Sequence, residues 1–193
     1  CIRDRFAKVP ARVKFRITRT LQREGYVVHN VLYESRADWW VTANLYLPPA
    51  PTKGKTPGIL IVHSHQRPKE HGELQDMGAM WARAGCVVLV MDQFAYGERA
   101  EHPAGPRHDY WNRYNSGIQL QLIGDSLMGW MVWDLRRGIA LLEQHYRVGT
   151  VVMMGSVAGG GDPCAVTAAL DDRVSVDIPV SYTHLTLPTR DLV

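Results

Sequence analysis

Residues 149–163 read Gly149-Thr150-Val151-Val152-Met153-Met154-Gly155-Ser156-Val157-Ala158-Gly159-Gly160-Gly161-Asp162-Pro163. An apolar, β-branched run drives straight into a glycine cluster, and a helix-like stretch follows. A chain that turns sharply from a buried strand into a helix needs small residues at the corner, because backbone and helix approach closely there. Corners of this kind carry either a nucleophile or a phosphate.

The rhythm on either side of the corner sets the fold class. Residues 58–63, 86–91 and 148–154 are short apolar runs, and residues 174–180 begin a fourth. Such runs suit strands buried on both faces. Between them, residues 73–84 have helical spacing, with Leu74, Met77, Met80 and Trp81 on one face and Gly85 as the stop. Residues 118–144 carry a broad apolar stripe that includes Leu122, Met128, Val132, Leu135, Ile139 and Leu142. Gly124, Gly129 and Gly138 interrupt it and predict a kink or close packing. Residues 163–170 read as a helix opened by Asp162 as cap and Pro163 in its first turn. Strand and helix thus alternate, which means a parallel sheet covered on both sides, with right-handed crossovers. Residues 26–47 hold two β-rich runs around a turn at 35–38 and read as an antiparallel pair. Residues 1–25 read as an arm or a helix, and residues 97–116 as a long polar excursion.

Composition narrows the function classes. Among 193 residues, 46% are hydrophobic and 21% charged, so the chain reads as one globular domain with a sizeable core. A net charge of +3, scattered without basic runs, argues against nucleic acid as a partner. No apolar stretch is long enough for a membrane span. The three cysteines, Cys1, Cys86 and Cys164, are odd in number and widely spaced, which argues against a disulfide framework. The chain begins with Cys1, so any leader would have been lost, and the sequence leaves localisation open between cytoplasm and export. Residues 181–193 break off the last strand pattern. They resemble a translated sequencing-adapter artefact of metagenomic gene fragments, and on that reading the natural chain continues.

Several motifs in order carry a resemblance. His63-Ser64-His65 ends the first parallel run, and residues 91–99 (Met-Asp-Gln-Phe-Ala-Tyr-Gly-Glu-Arg) end the second. Residues 124–130 with Asp134-Leu135-Arg136-Arg137 lie on the long helix, and the glycine corner ends the third run. Across residues 26–180 the chain resembles the α/β-hydrolases of the acetyl xylan esterase and dienelactone hydrolase branch. The resemblance implies a three-layer α/β fold with a mostly parallel sheet and an N-terminal antiparallel hairpin, truncated on its C-terminal side. It divides the chain into an arm at 1–25, a partial hydrolase domain at 26–180 and a non-native tail at 181–193.

The resemblance also implies a serine nucleophile on a tight elbow, a histidine base and an orienting acid. A serine hydroxyl is a poor nucleophile until an imidazole takes its proton, and the tetrahedral oxyanion needs backbone N–H donors. Ser156 is the candidate nucleophile. The donors fall to the N–H of Val157 and to the loop holding His65 and Gln66. The elbow Gly-x-Ser-x-Gly laid on Gly155 and Gly159 nevertheless puts Val157 in the middle, with Ser156 one residue early. Shifting the frame to Ser156 puts Met154 and Ala158 at the two small positions. Both frames stay open. The acid and base are expected after later strands, so the fragment is expected to be inactive by itself; His184 and Asp191 lie in the suspect tail and are not assigned. Trp111, in the polar excursion, is the candidate substrate-facing ring. No cofactor or metal is called for, and the expected partner is a small-molecule or carbohydrate ester.

Two rival readings share these residues. Gly155, Gly159 and Gly161 fit a dinucleotide loop, with Asp177 where a ribose-binding acid would sit. Against it, that loop normally follows the first strand of its fold, and Asp162 and Pro163 suit an anion site poorly. A second hydrolase-like possibility is a non-catalytic binding domain that lacks the elbow serine. His63, His65 and His71 with Asp92 could also be read as metal ligands, against the simpler and favoured reading of polar residues at the mouth of a parallel sheet. Asp92 and Arg99 read as structural ties of the loop they flank.

Overall fold

The computed structural model describes residues 12–64, 68–100 and 108–180. Seven strands form one sheet in the order β1-β2-β3-β5-β4-β6-β7. They are β1 (Phe15–Arg23), β2 (Tyr26–Arg36), β3 (Trp39–Leu47), β4 (Gly58–Val62), β5 (Val87–Met91), β6 (Val151–Ser156) and β7 (Val174–Val180). β1, β2 and β3 pair antiparallel, and β3 meets β5 antiparallel. β4 is parallel to β5 and to β6, and β6 is parallel to β7. The expected hairpin and parallel run are therefore both present.

Every residue of β4 and β5 is buried, as their unbroken apolar composition requires. Two apolar clusters flank them. On one face Leu60, Val62, Leu89, Met91 and Met153 pack with Leu135 and Ile139 of α3 (Leu127–Leu141). On the other, Ile59, Ile61, Val88 and Val90 pack with Leu74 and Ala82 of α1 (Gly72–Arg83). Between them in the chain lies α2 (His108–Leu122), and α4 (Val157–Leu170) follows β6.

Three sequence expectations change. Where an arm or helix was expected before residue 26, Phe15–Arg23 pair along β2 as a strand whose residues are mostly exposed. An edge strand with one wet face carries no clean apolar period. The long helix of residues 118–144 is two helices, and α2 takes up part of the polar excursion. Gly124, at φ +74, ends the first. Ser126 caps the second, accepting the Gly129 N–H at 3.0 Å. The helix expected from Pro163 starts six residues earlier, at Val157, with Pro163 inside it. Tertiary packing of the glycines, described next, overrides their poor helix propensity.

Candidate active site

At the end of β6, Ser156 is still extended, with φ −121 and ψ 144. The next residue, Val157, has φ +55. Left-handed backbone costs an L-residue roughly 1–2 kcal/mol, and a β-branched side chain is a genuine outlier there. The strand therefore turns into α4 through one strained residue, and Val157 occupies it with 39% of its surface exposed.

The glycines let the corner close. A Cβ on Gly155 would collide with the Gly160 carbonyl and the Cys164 side chain, and one on Gly160 would collide with the carbonyls of Val62 and His63. The first turns of α4 thus lie directly on the ends of β6 and β4. Gly159 and Gly161 also fall inside α4, in a helix packed on the sheet. This is a packing reason for the cluster that needs no pyrophosphate.

Side chains alternate along β6, so Ser156 shares the face of Val152 and Met154, the face that α1 covers. A cavity of about 250 Å³ opens there, lined by Ser156 with Ser64, Leu74, Met77, Met154 and Val180 among others. Of the expected oxyanion residues, Val157 stands at the corner, whereas His65 and Gln66 lie outside the described residues, as do His184 and Asp191. Trp111 is 53% exposed on α2, with its ring edge-to-face to Tyr114 at 6.2 Å.

The loops that leave β4 and β5 meet beside the corner. His63 is 1% exposed. Its Nδ1 donates to the Ser64 carbonyl at 2.6 Å, so Nε2 is the acceptor for the Gln93 N–H at 2.9 Å. The Gln93 side-chain amide donates back to the His63 carbonyl. The Tyr96 ring stands edge-on to His63 at 5.1 Å. Burial first, against the opposing pull of the Ser64 carbonyl and the Asp92 charge, lowers the His63 pKa to about 4. His63 is therefore a neutral structural imidazole, with both ring nitrogens engaged.

Asp92, fully buried, receives the Lys69 N–H at 2.9 Å, the Lys69 ammonium at 2.5 Å and the Thr42 hydroxyl at 2.7 Å. Lys69 reaches Glu98 as well, at 2.6 Å. Burial works against the Lys69 charge, but the two carboxylates outweigh it and raise its pKa. A metal site built on His63 and Asp92 would first have to break these contacts.

Arg99 donates to the Asp92 carbonyl at 3.0 Å and pairs with Asp134 of α3 at 2.8 Å. Asp134 also receives the Ser35 hydroxyl and lies 3.4 Å from Arg36. The expected ties of this loop are present, but Asp92 and Arg99 each bond elsewhere rather than to one another's charges. Trp39 stacks on Phe94 at 5.6 Å and meets Trp130 edge-on at 5.3 Å, while Arg36 lies over Trp130 at 4.2 Å. This is packing of the hairpin against α3. Lys69, Gln93 and Ser35 were not singled out from the sequence, because only the fold brings their distant segments together.

No protein-family model matches the sequence, and no curated protein does either. Solved structures do match. A Bacteroides fragilis protein named as an acetyl xylan esterase aligns with a TM-score of 0.72 at 16% identity, over 91% of this chain and 50% of that one. The acetyl xylan esterase of Paenibacillus sp. R4 aligns at 0.65 and 16%, over 92% and 55%. Acetyl xylan esterase 1 of a Thermoanaerobacterium species aligns at 0.66 and 17%, again over 92% and 55%. The chain spans about half the length of these structures. At such identities the likeness speaks for the architecture, and with the strand order and the β6–α4 corner it establishes that this chain carries the α/β-hydrolase fold.

Proposed function

We propose that this chain belongs to an enzyme that hydrolyses carboxylic esters, with small acyl esters of decorated sugars as the substrate class. The observation that carries this reading is the corner itself. A sharp corner between a buried strand and a helix N-terminus, with three strand ends converging beside it, is the setting of a nucleophile elbow, and Ser156 stands immediately before its left-handed residue, Val157. The names of the similar structures support the ester chemistry.

In this proposal the Ser156 hydroxyl attacks the ester carbonyl carbon, the alcohol leaves, and water then hydrolyses the acyl-serine. The Val157 N–H and the loop of His65 and Gln66 hold the oxyanion. The proton of Ser156 goes to an imidazole other than His63, whose ring nitrogens are both engaged. The test is p-nitrophenyl acetate turnover by a full-length homologue that supplies the later strands, and by its Ser156→Ala variant. The expected result is a loss of 100-fold or more in kcat; unchanged turnover removes Ser156 from the mechanism.

One observation favours a second reading. The left-handed position holds Val157, which has no hydroxyl, and Ser156 faces the α1 side of the sheet. A hydrolase-fold domain that binds an ester or glycan without cleaving it fits that substitution. Absence of labelling by a serine-directed fluorophosphonate, with the fold intact by circular dichroism, supports this second reading.

A further inference from the structure

The His63–Gln93 clasp does more than bury two polar side chains. The His63 carbonyl is touched from two sides. Gln93 donates to it from the loop after β5, and Gly160 of α4 packs so closely against it that no Cβ fits between. The Gln93 backbone N–H meanwhile fixes the imidazole, and the imidazole fixes the Ser64 carbonyl. One glutamine therefore ties the end of β5 to the end of β4, on which Gly160 seats the corner that follows β6. Gln93 is 2% exposed, and its Oε1 is a buried acceptor with no partner among the described residues. A buried amide with one arm unmet costs about 1–3 kcal/mol. An apolar side chain there would in turn deprive the His63 carbonyl of the donor that Gln93 supplies, so the residue is tied to the His63 clasp.

We propose that Gln93 is a positioning residue for the β6–α4 corner, acting through His63 to hold the end of β4 at a fixed distance from the backbone N–H groups that follow Ser156. An oxyanion is stabilised only by donors already held at hydrogen-bond distance, so displacement of one strand end acts on the transition state more than on substrate binding. The catalytic part of this proposal rests on the ester-hydrolase reading; the geometric part does not.

The experiment compares Gln93→Ala with Asp171→Asn. The control weakens the pairs of Asp171 with Arg136 and Arg173, 2.8 and 2.6 Å long, at the end of α4 far from the corner. Four quantities are read in the full-length parent: Tm, kcat and KM for p-nitrophenyl acetate, and amide hydrogen exchange over residues 155–161. Both variants are expected to lower Tm. Only Gln93→Ala is expected to lower kcat, by about 10- to 100-fold with KM within two-fold, and to speed exchange at the corner at least ten-fold. Gln93→Asn, which keeps the amide on a shorter arm, is expected to fall between Gln93→Ala and the parent. Equal kcat and equal corner exchange in Gln93→Ala and Asp171→Asn overturn the proposal. If the full-length parent hydrolyses no ester, the ester-hydrolase reading falls by itself. Hydrogen exchange then still decides whether Gln93 positions the corner.

Discussion

Val157 is the residue at which conformation and composition disagree most. Its φ of +55 is one that glycine adopts freely and valine does not. Its side chain is 39% exposed, so removing it gives up only part of a valine's burial, which offsets some of the gain. Val157→Gly relieves roughly 1–2 kcal/mol of backbone strain and adds roughly 0.5–1 kcal/mol of chain entropy to the unfolded state. The variant is expected to be more stable by up to about 1 kcal/mol, read from the urea midpoint at unchanged slope. A drop in midpoint contradicts the strain assigned here. The corner was legible in the sequence from Gly155 and the β-branched run before it. Which of Ser156 and Val157 carries the left-handed turn was not, because both frames place a small residue near the bend. The structure gives that conformation to Val157 because α4 must seat Gly160 on β4.

At the scale of elements, the parallel strands were readable because burial on both faces leaves them uninterrupted apolar runs. The break between α2 and α3 was hidden because the apolar stripe continues through it, although Leu122 and Ile123 remain exposed. The decisive signals were Gly124 and the Ser126 cap. Ser126→Ala removes the acceptor for the Gly129 N–H and is expected to cost about 1 kcal/mol. Ser126→Asp, which restores an acceptor, is expected to recover most of it, with both read by chemical denaturation. β1 escaped the sequence reading for the opposite reason: at an exposed edge nothing enforces an apolar period.

For the molecule as a whole, acid is the expected weak point. His63 titrates at about 4 when folded, below the ordinary histidine value near 6.5. The unfolded chain thus takes up this proton first as pH falls. The contribution of His63 is full above about pH 6.5 and is lost on descending to about pH 4. The amount is on the order of 3 kcal/mol. Asp171 adds a second step. Burial raises its pKa, but the hydrogen bonds from Arg173 and Arg136 win and bring it to about 2. Its contribution is present above about pH 4 and fades toward pH 2. Stability measured by urea between pH 7 and pH 4.5 should fall steadily, and His63→Gln should flatten that slope while starting from a lower value. An equal slope in the variant would assign the acid sensitivity elsewhere.

The seam between the two halves of the sheet has one further consequence. β3 and β5 share four register pairs, from Ala43 opposite Met91 to Tyr46 opposite Val88. Around that short zip, Asp92 reaches Thr42, and Asp134 holds Ser35 and Arg36. These polar ties lie at the ends of a joint that is otherwise apolar, where Tyr33, Val41 and Leu45 pack with Leu60, Leu89 and Leu135. The two halves therefore share one core, and neither is expected to melt without the other.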